Sequence, residues 1–450
     1  QVAYSRNIIY SITYDTLPVV TAHHIHLEAG GKLFYELARP VLKVNDIVFY
    51  QRLRALLTAC FGLVFLFLLL GDLTDNTFIA LAGTLAAAFT LGYLHYATKV
   101  DTGIYPAAML PVILWTVNRI DEKKRSALPW AAAAGLAAAG GIIAHQYMAI
   151  PAALAGLCVL FPRGTGSHLI ATGPLRIDAA RPAPGPVAAG KRTAAFAVLA
   201  ATGLLAAGLA YFAVIRNREL TLEPRPGVAL TNDYHSFQRW FFQYATMDAW
   251  GYGYERFNPK APFTGFTDFF LMPDRGIYVP DFNFRFSYSF ASFSEPAHLP
   301  YNLVAVFTGL ILGGTALTAP FLWRRYGRMF PAVLLSLIGI VLFAVYWEPH
   351  YVEFWLVPGM LFCILAVMLL ALWGEELGRL FRPFRTLLPA VLLTGVALLL
   401  FAHNTRTYLV PYSRVKHLEA INRNWSPDYY RLWSDSIYRH PNNVYQDVYG

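Results

Sequence analysis

The sequence predicts an all-α membrane protein that crosses the bilayer many times. Hydrophobic residues make up 56% of its 450 residues and charged residues only 14%, whereas a soluble domain averages about 25% charged residues. The hydrophobic residues also occur in long runs, and about 20 mainly apolar residues suffice for one transmembrane helix. We find ten such runs, at 55–71, 77–97, 102–118, 127–144, 146–161, 193–215, 301–323, 329–347, 351–373 and 386–403.

The connections between these runs predict their orientation. Fifteen Lys and Arg residues lie in the connections at 118–125, 162–192, 324–328 and 378–385, whereas one lies in those at 98–101, 145–147 and 348–353. Because positively charged short loops stay in the cytoplasm, we expect the second set on the outer side. The same rule explains the formal net charge of +9, so a nucleic-acid partner is not required.

The alternation of sides divides the chain into seven regions. They are a first outer loop (1–54), a front transmembrane bundle (55–161), a flexible cytoplasmic linker (162–192), a transmembrane helix (193–215), a large outer loop (216–300), a back bundle (301–403) and an outer tail (404–450). No apolar run precedes the first outer loop, so we expect one more helix upstream of Gln1 and eleven in all.

Aromatic residues are concentrated in the outer loop at 216–300 and in the tail. Tyr and Trp are enriched at protein interfaces, so both regions are expected to pack on the membrane surface or on a protein partner. Residues 282–290 alternate with a period of two, which predicts a short strand. Cys60, Cys158 and Cys363 all fall within apolar runs and are expected to be unreactive core thiols.

Ionisable residues gather at the predicted outer ends of the helices. The first outer loop contains an aspartate, three histidines and a glutamate within a short stretch, and the later outer connections add further polar groups. Charged groups at membrane depth are costly, and those that persist usually face a cavity and serve function. The candidate site residues are Asp15, His23, His24, His26, Glu28, Arg52, Arg54, Lys99, Asp101, His145 and Glu353.

The order of these features resembles the GT-C superfamily of polytopic glycosyltransferases, such as protein mannosyltransferases and aminoarabinose transferases. The resemblance lies in "YDT" with Asp15, the following "AHHIHLEAGGKLFYEL", "YQRLRALL" with Arg52 and Arg54, "KVDTGIYP" with Asp101, and "YWEPHYVEFWLVPG". It implies a GT-C-like helix bundle and a sugar donor carried on a polyprenyl phosphate. The expected membrane is the bacterial inner membrane, with the large loops in the periplasm.

The resemblance also implies roles for the site residues. Asp15 and Asp101 would be the catalytic carboxylates, and Asp15 would either deprotonate an acceptor hydroxyl or hold a divalent cation on the donor phosphate. Binding of the donor phosphate or sugar is expected from His23, His24, Arg52, Arg54, Lys99, His145 and Glu353.

A metal site in the first outer loop is an open alternative. His23 and His26 are three residues apart, which places them on one face of a helix, and Asp15 and Glu28 could add oxygen ligands. Zinc sites need three or four well-placed ligands, and no second cluster is apparent in the sequence. A divalent cation is therefore the only cofactor to consider.

Two other functional classes compete with the enzyme. The chain could be a catalytically silent scaffold with a GT-C-like fold inside a larger membrane assembly, held through its aromatic loop and tail. A transporter is disfavoured because the two halves show no repeat symmetry, and repeats are typical of transporters.

Overall fold

The computed structural model describes residues 25–44, 47–98, 102–121, 126–162, 186–216, 261–271, 299–347, 352–381 and 383–405, and the elements there are helices. The α-helices are α1 (Ile25–Leu42), α2 (Ile47–Thr74), α3 (Thr77–Ala88), α4 (Leu91–Ala97), α5 (Ile104–Arg119), α6 (Ala127–Ala144), α7 (Ala149–Leu157), α8 (Pro186–Arg216), α9 (Ala261–Phe270), α10 (Leu299–Tyr326), α11 (Met329–Trp347), α12 (Val352–Leu377) and α13 (Phe384–Asn404). Short 3₁₀ helices at Gln146–Met148 and Cys158–Leu160 flank α7.

The prediction of an all-α polytopic membrane protein is confirmed. Within the described ranges, six helices are long and apolar enough to cross a membrane, and α3 with α4 makes a seventh if this bent pair is one span. All ten predicted apolar runs fall on helices. The predicted strand at 282–290 lies outside the described residues.

Helix α12 lies at the centre of the bundle. Its most apolar stretch is 100% buried, whereas the corresponding stretches of α8 and α13 are only 22% buried. Helices α3, α4, α5, α9, α10, α11 and α13 all pack against α12. Leucines such as Leu204 on α8 and Leu399 on α13 are exposed, so these outer helices carry the surface for lipid.

One end of the bundle brings together the N-termini of α2, α5 and α12 and the C-terminus of α6, through the contacts described below. We call it the Arg54 end, after the buried arginine of α2. Polar side chains that would otherwise favour a loop are satisfied there by α1, so α2 begins at Ile47 and not at 55. Likewise, α8 begins at Pro186, inside the region predicted as a linker.

Helices α3 and α4 meet at an angle of 70°, and the freed backbone groups of this bend are satisfied locally. The Thr90 hydroxyl donates to the carbonyl of Ala87 at 2.8 Å and accepts from the Tyr93 amide at 3.4 Å. The Asn404 side-chain amide donates to the carbonyls of Phe89, at 2.8 Å, and Phe270, at 2.9 Å. Broken helices are tolerated at membrane depth because such partners restore the missing hydrogen bonds.

Helix α9 lies within the region predicted as a large outer loop, and it packs among α4, α10 and α12. Phe269 is fully buried, with its ring directly against Gly92 of α4 and Gly359 of α12. Gly265 in turn faces the ring of Trp355, and none of the three glycines has room for a methyl group. These glycines therefore allow α9 to pack closely against α4 and α12 inside the bundle.

Buried arginines hold the opposite end of the bundle. Arg325 forms two hydrogen bonds with Glu375, at 2.6 and 3.0 Å. Arg328 is fully buried and donates to the carbonyls of Val117, at 3.1 Å, and Ile120. Since Ile120 follows the last residue of α5, Arg328 satisfies the carbonyls that the end of this helix leaves open.

The three cysteines are free thiols, as predicted. Cys158 and Cys363 are buried, but Cys60 is exposed on α2. The prediction that Cys60 is a core residue was wrong, because an apolar run contains a lipid-facing side as well as a protein-facing side.

Candidate functional site

Arg54 is the centre of a polar cluster formed by α1, α2 and α5. Its side chain is only 5% exposed. Nε donates to the hydroxyl of Tyr105 at 2.7 Å, and Nη1 donates to the carbonyl of Leu27 at 3.1 Å. The guanidinium also lies 4.7 Å from the centroid of the Tyr105 ring. Nη2 is buried and has no hydrogen-bond partner in the described part of the chain.

Gln51 lies one helical turn before Arg54 and is also buried, at 2% exposed. Its Nε2 donates to the carbonyl of Gly31 at 3.1 Å, but its Oε1 has no partner among the described residues. An unsatisfied donor on Arg54 and an unsatisfied acceptor on Gln51 thus share one side of α2. Buried polar groups nearly always have a partner, which can be a water or a ligand. The unsatisfied donor and acceptor on this side of α2 are therefore suited to binding a small polar ligand.

His26 packs edge-on against Tyr105, with the ring centroids 4.8 Å apart. Gly30 allows α1 to lie close to the side chains of His26 and Arg54. A methyl group added at Gly30 would stand 3.1 Å from the His26 imidazole and 3.1 Å from Arg54 Nη1. Burial, followed by the positive charge of Arg54, lowers the pKa of His26 from 6.5 to about 4. His26 is therefore neutral at pH 7 and can donate or accept a single hydrogen bond at each ring nitrogen.

The lowered pKa of His26 predicts a loss of stability in mild acid. Between pH 6.5 and 4 the unfolded chain binds a proton at this histidine that the folded chain does not, so stability falls as the pH falls. We expect the thermal unfolding midpoint in detergent to be lower at pH 5 than at pH 7. The corresponding loss in the free energy of unfolding is at most about 1.4 kcal/mol per pH unit. His26→Gln should show a shallower drop, and both proteins should respond alike above pH 7. An equal drop in the variant would exclude His26 as the cause.

A second polar cluster lies where α6, α11 and α12 meet. His145 is buried, and its Nδ1 accepts from the amide of Tyr147 at 3.3 Å, so the imidazole caps the 3₁₀ turn. The ring also packs on Tyr147, at 4.1 Å between centroids, and on Phe354, at 5.9 Å. The hydroxyl of Tyr147 is buried without a hydrogen-bond partner among the described residues. Turn capping and ring packing are thus two kinds of contact that His145 makes.

The start of α5 joins the two clusters. Gly103 lies beside Glu353, whose Cγ would stand 3.0 Å from a methyl group at this glycine. Two residues later, Tyr105 holds Arg54. The predicted site residues Arg54, Glu353 and His145 are therefore gathered at one end of the bundle.

Other predicted site residues have different outcomes. Arg52 is exposed on α2, on a different side of the helix from Arg54. Five predicted residues lie outside the described ranges: Asp15, His23, His24, Lys99 and Asp101. The side chain of Glu28 lies outside the described part of the structure as well.

The described residues do not assemble a metal site. They contain no group of three or more His, Cys, Asp or Glu side chains that could hold an ion. The positive charge of Arg54 beside His26 opposes the binding of a cation at that imidazole.

Two residues of the site, Gln51 and Tyr105, have no counterpart among the sequence predictions. Each is an uncharged side chain next to a predicted residue, and its role depends on a contact distant in sequence. "YQRLRALL" contains Gln51 one turn before Arg54, so helical spacing could have singled out this residue. The hydroxyl of Tyr105 carries no such local signal.

Comparison with known proteins gives the fold. Among solved structures, the chain is similar to the archaeal oligosaccharyltransferase AglB from Archaeoglobus fulgidus in complex with an inhibitory peptide and a dolichol-phosphate, with a TM-score of 0.50 over 97% of the chain. The chain has a GT-C-like fold. The two sequences are 11% identical, and the chain spans 55% of AglB, so the likeness concerns the fold. No family model and no curated protein matches the sequence.

The GT-C-like fold of this integral membrane protein confirms the resemblance found in the sequence. One part of that resemblance is "YQRLRALL" with Arg52 and Arg54. In the structure, the guanidinium of Arg54 is buried between α1 and α5, whereas Arg52 is exposed.

Proposed function

We propose that the protein transfers a sugar from a polyprenyl-phosphate carrier to an acceptor at the outer face of a membrane. The GT-C-like fold supports this proposal, because the similar protein AglB is an oligosaccharyltransferase in complex with a dolichol-phosphate. The distribution of Lys and Arg over the connections supports an outer location for the Arg54 end. The bacterial inner membrane is the proposed compartment.

The observation that carries the proposal is the buried and incompletely partnered guanidinium of Arg54. A guanidinium binds phosphate well because its N–H groups match two oxygens at once. Nη2 of Arg54 has no hydrogen-bond partner, and Arg54 forms no ion pair with any carboxylate whose side chain the structure describes. The phosphate of the lipid donor would supply the missing acceptor. Arg52 and Lys99 are proposed to add to the positive field around it.

The proposed reaction is a substitution at the anomeric carbon of the sugar. The acceptor hydroxyl attacks this carbon as the bond to the phosphate oxygen breaks, and polyprenyl phosphate leaves. Asp15 takes the proton of the hydroxyl as a general base, or holds the donor phosphate through a cation. Asp101 is proposed as the second carboxylate, and His23 and His24 are proposed to hydrogen-bond the donor.

Replacing Arg54 tests the proposal directly. A hydrogen bond to a charged group contributes about 1.5–3 kcal/mol, so Arg54→Gln should weaken binding of a sugar-free polyprenyl phosphate by about 10- to 100-fold. Arg54→Lys keeps the charge but loses the fork of N–H groups, and its affinity should lie between those of wild type and the Gln variant. The affinity can be measured by microscale thermophoresis on the full chain in detergent.

Tyr105→Phe is the matched control, because it removes the same 2.7 Å hydrogen bond to Arg54 but leaves the guanidinium. It should bind polyprenyl phosphate with an affinity close to that of wild type. Thermal unfolding identifies variants that fail to fold. A folded Arg54→Gln protein with unchanged affinity would remove Arg54 from the donor site.

A catalytically silent scaffold is the second candidate, and helix α9 is the observation that favours it. Phe266, Phe269 and Phe270 fill the space among α4, α10 and α12 with the chain's own side chains. The two candidates differ in turnover. Membranes that contain the protein should release label from at least one of a panel of polyprenyl-phosphate sugars, and a scaffold would release none while still binding a protein partner.

A further inference from the structure

Helix α1 has two exposed faces in addition to the face that packs on the bundle. Leu33, Leu37 and Val41 are 57%, 68% and 77% exposed, and their spacing of four residues places them in one stripe. Leu27 and Tyr35 are buried on the bundle side. A helix of this kind suits the membrane interface, where it buries its apolar face at the boundary between headgroups and acyl chains.

The third face of α1 is basic. It carries Lys32, Glu36 and Arg39, and Lys43 follows directly after the helix. Lys32 is within 3.5 Å of Glu36 and offsets its charge. Arg39 and Lys43 are exposed and have no acidic partner in the described part of the chain. Among the described residues, these two positive charges are uncompensated, and they lie close to the apolar stripe.

These two residues border an open cleft. Its volume is ≈ 480 Å³, and its lining consists of Tyr35, Glu36, Arg39, Pro40 and Lys43. This volume exceeds that of a phosphate group, and Arg39 and Lys43 outnumber Glu36 in the lining, so the net charge of the cleft is suited to an anion.

The cleft is fixed in shape by aromatic residues beneath it. The Arg39 guanidinium lies 5.6 Å from the centroid of the Tyr35 ring. Tyr35 packs edge-on against Tyr50, at 5.1 Å between centroids. The Tyr50 hydroxyl accepts from the amide of Val44 at 3.0 Å and donates to its carbonyl at 2.9 Å, which holds the turn after α1. Arg39 and Lys43 therefore flank a turn that the packed rings of Tyr35 and Tyr50 support.

We propose that this cleft binds the headgroup phosphate of an anionic phospholipid, with Leu33, Leu37 and Val41 inserted into the adjacent acyl chains. Arg39 and Lys43 supply the charge, and the apolar stripe sets the depth at which the cleft meets the headgroups. The site is separate from Arg54, which is buried on the other side of α1, and it does not depend on sugar transfer.

The proposal can be tested by native mass spectrometry of the delipidated full chain with equal amounts of phosphatidylglycerol and phosphatidylcholine. Basic residues near an anionic membrane surface contribute about 1 kcal/mol each. Two of them correspond to a preference of up to about 30-fold for phosphatidylglycerol. Arg39→Gln combined with Lys43→Gln should reduce the preference to near one.

Lys191→Gln is the matched control, because Lys191 is an exposed lysine at the start of α8, far along the chain. It should keep the wild-type preference, and an equal loss in this control would show that only total charge matters. An unchanged preference in the Arg39/Lys43 double variant would overturn the proposal.

Glycerol phosphate distinguishes a lipid from a free phosphate. It carries the headgroup chemistry without acyl chains, so an excess of it should not displace phosphatidylglycerol from the wild-type protein. Displacement would mean that the cleft binds soluble phosphates, and the membrane-anchored part of the proposal would be wrong. Leu37→Ser should weaken retention of both phospholipids while preserving the preference between them.

Discussion

Asp15→Asn is expected to abolish most sugar transfer while leaving the protein folded. Loss of a general base typically lowers a rate by about 10²–10⁴-fold, and Asn keeps the size of the side chain without its negative charge. Initial rates of label release from a polyprenyl-phosphate sugar measure the loss. Binding of sugar-free polyprenyl phosphate should be much less affected, because the proposed phosphate ligand is Arg54.

The control for this variant is Asp75→Asn. Asp75 lies in the turn between α2 and α3, with a φ of 53°, where Asn is as acceptable as Asp. This variant should retain the wild-type rate. If Asp15 only caps a local turn, its Asn variant would also be fully active, because Asn and Asp cap equally well. Full activity of Asp15→Asn would therefore favour the scaffold.

Glu375→Gln is expected to cause the largest loss of stability. Glu375 and Arg325 are only 7% and 6% exposed, and removing one partner of a buried ion pair leaves an uncompensated charge. Such losses amount to about 3–5 kcal/mol. The unfolding midpoint in denaturant, measured in detergent by circular dichroism, should fall accordingly.

Two further variants separate the buried pair from ordinary charge loss. Glu376 pairs with Arg379 at 2.7 Å, and both side chains are more than 40% exposed, so Glu376→Gln should change stability by less than about 1 kcal/mol. The double variant Arg325→Met with Glu375→Leu removes both charges and should recover most of the lost stability. A Glu375→Gln protein as stable as wild type would contradict the structural role of the pair.

The helices were predictable from the sequence, because apolar runs of about 20 residues are a local signal. Helix α9 was not predictable in this way. Its ten residues are too few to span a membrane, and its position depends on glycines at 92 and 359, far away in the chain. The burial of Arg325 was not predictable for the same reason, because it depends on a contact far away in the chain. Its partner Glu375 is 50 residues away, so the sequence indicated only a positively charged cytoplasmic loop.

The candidate site was predictable in part for similar reasons. Arg54 and Glu353 stand out as charged groups at helix ends, and both lie at the Arg54 end. Their surroundings follow from contacts that no local pattern records, such as the bond of Arg54 to Tyr105, 51 residues away. His145 shows the limit of residue type as a guide, because the structure uses its ring nitrogen to cap a turn.

The complete burial of the apolar stretch of α12 has a consequence for how the protein is assembled during synthesis. This helix is hydrophobic enough to enter the bilayer alone, with a mean hydropathy of 2.5 over its apolar stretch, so it first meets lipid on all sides. It must then exchange every lipid contact for protein, and in a bilayer this exchange is driven by close packing, since lipid tails are as apolar as leucine. Since α2 to α11 precede α12 in the chain, α12 takes its place only after these helices have been synthesised. Substitutions on α12 should therefore reduce the yield of assembled protein before they reduce membrane insertion.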